Sequence, residues 1–251
     1  GHQKTNLRRY FVMFRKGALA VAIMVLSGIA IAQEEAEEEG PWSGELSLGY
    51  LSTSGNTDTT NYKTSFGIGY TRNDWEHRFS AASNGAVDTD VTTAESYQAG
   101  WRSTYNFTEK DFVFGTVDWR KDRFAGVTEQ LSYALNYGRT VIDTPKHLLA
   151  LGIGAGYRDS DRSDGTSEGS AIGVGSLAYG WTFTEKSGFD QTIVIESGSD
   201  NTYVESVSAV RANLIGDFAL VVSYTIKHNT DVPPASEKTD KLSAVSIEYK
   251  F

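Results

Sequence analysis

Residues Glu95–Phe107, E-S-Y-Q-A-G-W-R-S-T-Y-N-F, carry the pattern that decides the fold. Alternate positions fall into two sets, which we call the two parities of a strand. The odd-numbered set is mostly apolar and includes Tyr97, Ala99, Trp101, Tyr105 and Phe107. The even-numbered set is small or polar and consists of Ser96, Gln98, Gly100, Arg102, Thr104 and Asn106. An apolar residue at every second position is typical of a β-strand with one apolar face and one polar face.

The same alternation recurs along the chain from Trp42 onward, and no segment there keeps a helical period. Each stretch is about ten residues long and is bounded by turn residues, which indicates a strand. Twelve stretches are predicted, at 42–52, 59–70, 75–83, 94–107, 112–124, 129–142, 147–158, 170–183, 188–198, 203–215, 218–229 and 239–251. The sequence therefore predicts an all-β protein of about twelve strands.

The connections between these strands alternate in length. The tight connections are 71–74, 108–111, 143–146, 184–187 and 216–217. The longer and more polar ones include 84–93, 159–169 and 230–238. An even number of strands with short turns at one end is the signature of a transmembrane antiparallel up-and-down β-barrel. We expect short periplasmic turns, modest extracellular loops and location in a bacterial outer membrane.

A soluble β-sandwich or lipocalin-like barrel is the rival architecture. The polar parity contains unusually small residues, such as Gly152, Gly154 and Gly156, which suit the crowded interior of a narrow barrel. The apolar parity is expected to place aromatic residues near strand ends, as in membrane girdles. These residues are Trp42, Tyr50, Tyr70, Trp75, Phe107, Phe112, Trp181, Phe183 and Phe189. The membrane barrel is the favoured interpretation.

The last stretch resembles the assembly signal of Gram-negative outer-membrane barrels. Val245, Ile247, Tyr249 and Phe251 alternate with polar or small residues, and the stretch finishes on the aromatic residue. The resemblance implies that this strand contacts the barrel assembly machinery.

The N-terminal region predicts export. Arg15 and Lys16 follow Met13, the expected start, and precede an apolar segment at 17–31 that leads to the small-residue site Ala30-Ile31-Ala32. This order is typical of a cleaved signal peptide, and the segment is short for a transmembrane helix of about 20 residues. We therefore expect residues 1–32 to be an extension plus signal peptide, 33–41 an acidic disordered periplasmic tail, and 42–251 the barrel.

Composition narrows the possible functions. The chain has no Cys, which excludes disulfides and thiolate metal sites. Its net charge of −9 argues against nucleic acid as a partner. No cofactor or metal is expected.

Two sequence motifs point to a family. The first strand and loop contain Trp42-Ser-Gly-Glu-Leu-Ser-Leu-Gly-Tyr50 and then Thr53-Ser-Gly-Asn-Thr57, while Phe107-Thr-Glu-Lys110 recurs as Phe183-Thr-Glu-Lys186. With these motifs, residues 42–251 resemble the YdiY-like family of salt-induced outer-membrane proteins, also classed as domain of unknown function 481. The resemblance implies an outer-membrane barrel and supplies no catalytic residues.

The sequence offers no complete catalytic constellation. His77, His147 and His228 all fall on the predicted lipid-facing parity near strand ends, without a nucleophile and an orienting acid arranged around them. Catalysis requires a nucleophile, a base and an orienting group held together. We therefore predict that the protein is not an enzyme.

The predicted lumen carries balanced charge. Its acids are Glu45, Glu76, Asp118, Asp122, Asp190, Glu196, Glu205 and Glu248. Its bases are Lys63, Arg78, Arg102, Arg120, Arg158, Arg211, Lys227 and Lys250. A strongly selective pore would show one dominant sign along its wall. The favoured function is a narrow, weakly selective channel for ions or small polar solutes, linked to osmotic or salt stress through the family description.

A non-conducting structural, adhesive or lipopolysaccharide-organising protein is the alternative function. Lys121 and Arg123 fall on the outer parity near the extracellular rim, where lipopolysaccharide phosphates would meet them. Outer-membrane lipid and lipopolysaccharide are thus the expected partners, and the sequence leaves the oligomeric state open.

The predicted signal peptide can be tested on protein recovered from outer membranes. Cleavage after Ala32 gives a mature chain that begins at Gln33. N-terminal sequencing and intact mass should both show this end. A chain that retains the apolar segment 17–31 would contradict the prediction.

Overall fold

A computed structural model describes residues 40–54, 59–88, 91–122, 127–162, 165–232 and 237–251. The predicted signal peptide, nearly all of the predicted acidic tail and the Gly55–Asn56 part of the first loop lie outside these residues. None of the described residues forms a helix that is both long enough and apolar enough to cross a membrane.

The described residues form twelve strands. They are β1 (Trp42–Ser54), β2 (Thr59–Arg72), β3 (Trp75–Asp88), β4 (Val91–Asn106), β5 (Asp111–Asp122), β6 (Val127–Asp143), β7 (His147–Arg162), β8 (Ser167–Thr184), β9 (Ser187–Gly198), β10 (Thr202–Asn213), β11 (Phe218–Asn229) and β12 (Thr239–Lys250).

Each strand pairs antiparallel with its neighbours in sequence, and β1 pairs with β12 to close the barrel. At this seam the Gly44 amide donates to the Phe251 carbonyl over 2.7 Å, and the Phe251 amide donates to the Gly44 carbonyl over 3.0 Å. Closure leaves neither edge of the sheet formed by the described strands unpaired, as a lipid environment requires. The predicted twelve-stranded up-and-down barrel is confirmed.

Two connections differ from the sequence-based expectation. The predicted loop 84–93 shrinks because β3 continues to Asp88 and β4 starts at Val91, and the predicted loop 159–169 shrinks because β7 and β8 extend to Arg162 and Ser167. Polar residues can keep strand conformation above the membrane, where water solvates both faces. The β7–β8 hairpin end is joined by an ion pair of 3.0 Å between Arg162 and Glu168.

The repeated Thr-Glu-Lys turns have a common local cause. The Thr108 hydroxyl accepts hydrogen bonds from the amides of Lys110 and Asp111, over 3.1 and 2.8 Å. The Thr184 hydroxyl accepts from the Lys186 amide over 3.1 Å in the second copy. A threonine side chain thus satisfies backbone donors that a tight turn leaves unpaired.

The outer face of the barrel is apolar, with Leu135 and Ile153 each 69% exposed. Aromatic pairs form a belt at the end of the barrel where β1 begins. Trp42 contacts Tyr70, Trp75 contacts Tyr105, and Phe218 contacts Tyr249, with ring centroids 4.7, 4.9 and 5.0 Å apart. Aromatic rings favour the interface between lipid and water, so this belt marks the periplasmic boundary of the membrane.

The prediction that Phe112 faces lipid is wrong. Phe112 is buried inside the barrel and, with Phe114 and Ala150, forms an apolar cluster, while Val113 between the two phenylalanines is exposed. Phe112 shares its strand parity with Asp118, so both side chains point inward. Space for the ring comes from Gly138 on β6, where any Cβ would overlap the Phe112 ring.

Substitution of Gly138 by Ala should destabilise the barrel by about 1–3 kcal/mol, because the added methyl collides with the Phe112 ring. Urea unfolding of the refolded protein in lipid vesicles measures this loss. Gly175→Ala is the matched control, since a Cβ there meets nothing within 4 Å. Combining Gly138→Ala with Phe112→Ala should show coupling between the two sites, and strict additivity would contradict the packing argument.

Candidate functional site: the charged lumen

Strand alternation places the charged side chains inside the barrel. On β9 and β10 the inward positions include Asp190, Glu196, Glu205 and Arg211, and the last three are almost fully buried. Buried charges must be paired, because isolated ones carry a large desolvation cost. The lumen therefore depends on ion pairs between strands.

Seven residues in the extracellular half of the lumen form what we call the upper network. They are Arg120, Arg158, Glu196, Asp200, Tyr203, Glu205 and Lys227. Glu196 lies at its centre, 3.6 Å from the Arg120 guanidinium and 3.7 Å from the Arg158 guanidinium. On one side Lys227 lies 3.7 Å from Glu205, which also accepts the Tyr203 hydroxyl over 2.6 Å.

The upper network crosses the lumen. Arg120 belongs to β5, whereas its partner Glu196 belongs to β9, four strands away in the closed order of twelve. The Arg120 guanidinium also lies 4.7 Å from the ring centroid of Tyr203 on β10, five strands away. Six strands would be diametrically opposite. These contacts therefore form a bar of side chains from one wall to the other.

A short extracellular turn anchors this bar. Nη2 of Arg158 donates to both carboxylate oxygens of Asp200, over 3.0 and 2.9 Å, and to the Asn201 carbonyl over 2.8 Å. Burial pushes the pKa of Asp200 up, but hydrogen bonds from Ser170 and Arg158, together with the Arg158 charge, leave that pKa below its usual value. Asp200 therefore stays ionised and keeps Arg158 at the upper rim.

A second set of ion pairs, the lower network, lies near the periplasmic end and comprises Glu45, Arg78, Asp190, Arg211, Glu248 and Lys250. Arg211 contacts Glu248 over 3.2 Å and Asp190 over 3.8 Å, and Lys250 lies 3.7 Å from Glu248. Arg78 pairs with Glu45. Glu248 is fully buried, so its charge depends on these partners.

Many of the ion pairs in the two networks are loose. Nη1 of Arg158, Oε2 of Glu196, Nη1 of Arg211 and Oε1 of Glu248 are buried without any hydrogen-bond partner, although opposite charges lie nearby. Charge-assisted hydrogen bonds normally measure about 2.7–2.9 Å, shorter than most of these separations. The two networks therefore leave several buried charged atoms close to opposite charges but without hydrogen bonds.

Nine of the ten lumen candidates from the sequence lie on the inner face. They are Arg78, Arg102, Asp118, Arg120, Arg158, Glu196, Glu205, Arg211 and Lys227. The side chain of the tenth, Asp122, is outside the described residues. Asp200 and Tyr203 are functional candidates that the sequence analysis missed. Tyr203 shares its parity with Glu205, so the alternation on β10 contained the signal.

The other sequence-based candidates lie on the outside. Lys121 is half exposed and lies 3.7 Å from Glu129, while Arg123 is outside the described residues. Three residues of the resembled assembly signal, Val245, Ile247 and Tyr249, are exposed on the outer face of β12. The fourth, Phe251, is exposed directly after the strand.

The structure also joins a histidine to a serine on the outer face. Nδ1 of His77 lies 3.0 Å from the Ser103 hydroxyl, and the His77 ring stacks between Trp75 and Trp101. Within the described residues no acid orients His77, and the strand ladder engages the nearby backbone amides that an oxyanion hole would need. The pair is best explained as a packing contact of the aromatic belt.

A closed twelve-stranded sheet with an apolar outside and a charged lumen defines an outer-membrane β-barrel. Solved barrels share this fold. The NanC porin matches with a TM-score of 0.58 at 8% identity, covering 82% of this chain and all of that one. The translocator domain of the autotransporter NalP from Neisseria meningitidis matches with a TM-score of 0.53 at 9% identity, covering 84% and 89%. The KdgM porin in complex with disordered oligogalacturonate matches with a TM-score of 0.51 at 11% identity, covering 82% and 99%.

The family follows from sequence. Residues 46–251 match the model described as "Protein of unknown function, DUF481". The chain is 31% identical to the uncharacterized protein YdiY of Escherichia coli (strain K12) over 233 residues, which cover 90% of this chain and 89% of YdiY. The protein belongs to the DUF481 family, which confirms the resemblance drawn from the first-strand and turn motifs.

Breaking the centre of the upper network should destabilise the barrel. Glu196→Gln removes a carboxylate that lies within 4 Å of both Arg120 and Arg158. The free energy of unfolding should therefore fall by about 3 kcal/mol. Urea unfolding followed by tryptophan fluorescence measures it. Glu168→Gln, which removes one of the two carboxylates that contact Arg162 at the exposed end of the β7–β8 hairpin, is the control and should change little. Equal effects for the two variants would show that Glu196 is not a structural centre.

Proposed function

We propose that the protein is a narrow, weakly selective outer-membrane channel for ions or small polar solutes, and that the upper network sets its conductance. The observation that carries the proposal is the contact of Arg120 on β5 with Glu196 on β9 and Tyr203 on β10, across the lumen. A bar of charged side chains across the lumen forms a constriction, and we take its members to hydrate and part when a solute passes.

The near balance of charge supports weak selectivity. Arg120, Arg158 and Lys227 face Glu196, Asp200 and Glu205 in the upper network, three positive charges against three negative ones. Selective filters instead present rings of one sign to the passing ion. The link to osmotic or salt stress rests only on the resemblance of residues 42–251 to salt-induced outer-membrane proteins.

Delivery to the membrane is part of the same proposal. Residues 13–32 act as a cleaved export signal, and the exposed apolar residues of β12 meet the barrel assembly machinery. We also take the barrel to be non-enzymatic. His77 contacts the Ser103 hydroxyl, but within the described residues it has no acid to orient it, and a catalytic triad requires one.

A non-conducting envelope protein is the second candidate, and one observation favours it. Arg158, Glu248 and Val221 are at most 1% exposed, so water barely reaches these parts of the inner wall. A lumen filled by its own side chains would not conduct, so the outer surface of the barrel would carry the function. There, Lys121 and Arg123 could contact lipopolysaccharide phosphates.

Conductance in planar bilayers tests the channel directly. The refolded wild type should give discrete current steps, and Arg120→Ala should enlarge them because it removes the side chain that reaches across the lumen. Arg139→Ala is the matched control, since it truncates an exposed arginine on the outer face and should leave the steps unchanged.

The two candidate functions predict different currents. If wild-type protein that is folded and inserted gives no current, the channel proposal is contradicted. Silence in the wild type with current in Arg120→Ala would identify the upper network as a permanent plug. Charge reversal at Lys121 and Arg123 that leaves lipopolysaccharide binding unchanged would remove the lipopolysaccharide contact.

A further inference from the structure

Arg102 differs from the other lumen arginines of the described structure. Arg78, Arg120, Arg158 and Arg211 each have a carboxylate oxygen within 4.0 Å, as a buried guanidinium requires. Arg102 is 92% buried, with 8% of its surface exposed, yet no described carboxylate lies within that distance. Its positive charge is therefore left without direct neutralisation by the wall.

The guanidinium of Arg102 is nonetheless held in place. Its Nε donates to the Thr104 hydroxyl over 3.2 Å, and its Cζ lies 3.6 Å above the centroid of the Phe114 ring. A cation stacked on an aromatic face is attracted to the ring and loses the freedom to swing away. Phe114 is itself fixed in the buried apolar cluster at this level of the lumen. The site is therefore pre-organised.

The anchoring leaves one edge of the guanidinium unused. Nε is engaged by Thr104, whereas Nη2 is buried without a hydrogen-bond partner and Nη1 has no hydrogen bond in the described structure. These two nitrogens form the end-on fork that binds two oxygens of a carboxylate or phosphate at once.

Neighbouring charges do not fill that fork. Arg78 lies directly opposite Arg102 in the β3–β4 register but is drawn away by Glu45. Glu76 accepts a hydrogen bond of 2.9 Å from Asn106. Asp118 leans over Gly100, where a Cβ would lie 2.8 Å from its Oδ1, and makes no ion pair with Arg102. Arg78 adds positive potential, while Glu76 and Asp118 reduce it without contacting the fork.

We propose that Arg102 is the binding residue of an oxyanion subsite inside the lumen, which takes the carboxylate or phosphate group of a small solute. The subsite deepens the proposed channel function and rests on it, because the solute must enter the lumen to reach Arg102. Phe114 and Thr104 position the fork, and Asp118 limits the affinity so that a bound anion can leave.

Acetate is the probe, exchanged for chloride at constant ionic strength with the refolded protein in detergent micelles. Binding to the folded barrel raises the urea midpoint, which tryptophan fluorescence follows. Arg102→Gln should abolish the acetate effect, and Arg102→Lys should weaken apparent affinity about tenfold because it keeps the charge but loses the fork. Asp118→Asn should increase the apparent affinity for acetate several-fold, because it removes a nearby negative charge.

Controls separate a specific subsite from general charge effects. Arg139→Gln makes the same substitution at an exposed arginine outside the lumen and should respond to acetate like the wild type. Only protein that migrates as a compact barrel without heating is compared. If Arg102→Gln fails to fold, Arg102→Lys and Asp118→Asn still test the proposal through opposite shifts in apparent affinity.

The outcomes distinguish the subsite from the channel. An acetate effect that is absent from the wild type, or unchanged in Arg102→Gln or Arg102→Lys, would overturn the subsite even if the bilayer conducts. An acetate effect that depends on Arg102 in protein that gives no current would keep the subsite and overturn the channel. Acetate block of current in the wild type, weakened in Arg102→Lys and lost in Arg102→Gln, would support both.

Discussion

The structure depends on closure of the backbone hydrogen-bond ladder. In lipid no water is present to satisfy an unpaired amide or carbonyl, so a sheet can cross the membrane only if its two edges meet. Pairing of β1 with β12 meets this requirement, and the separation of side chains into two environments depends on it. Once the sheet is closed, alternation sends one set of side chains to lipid and confines the other set to a narrow lumen.

Confinement explains the chemistry of the inner wall. Charged residues that would be solvated on an open sheet must find partners across the barrel, and Arg120 and Glu196 do so from strands on different sides. Where large side chains such as Phe112 enter the lumen, glycine on the next strand makes room. The small residues of the polar parity are thus the complement of the large ones.

Much of the fold could be predicted from the sequence because its cause is local. A period of two in segments such as Glu95–Phe107 identifies a strand and its lipid face without knowledge of the rest of the chain. The same rule misled at Phe112, since an aromatic residue was assigned to lipid although its parity matched Asp118. The lengths of the strands at the extracellular end were also underestimated, because polar residues there continue the backbone hydrogen-bond ladder.

The pairing inside the lumen was beyond prediction for a physical reason. Which arginine meets which carboxylate depends on strand register, barrel width and side-chain reach, and none of these is encoded in a single strand. The alternation identified Arg102 and Asp118 as inward residues, yet only the structure shows that their charges do not make contact. Tyr203 was missed although its inward parity on β10 could be read from the sequence, because a search for charged residues passes over an uncharged phenol. Asp200 was missed because it lies in a turn, outside the strand alternation.

The seam between Gly44 and Phe251 has a consequence for the order of folding. These residues belong to the first and twelfth strands, so the contact that closes the sheet spans nearly the whole barrel sequence. Contacts so distant in the chain form slowly, since a long loop must be ordered first. One edge of β1 therefore stays unpaired until β12 is in place, and during that interval it can pair with a strand of another chain.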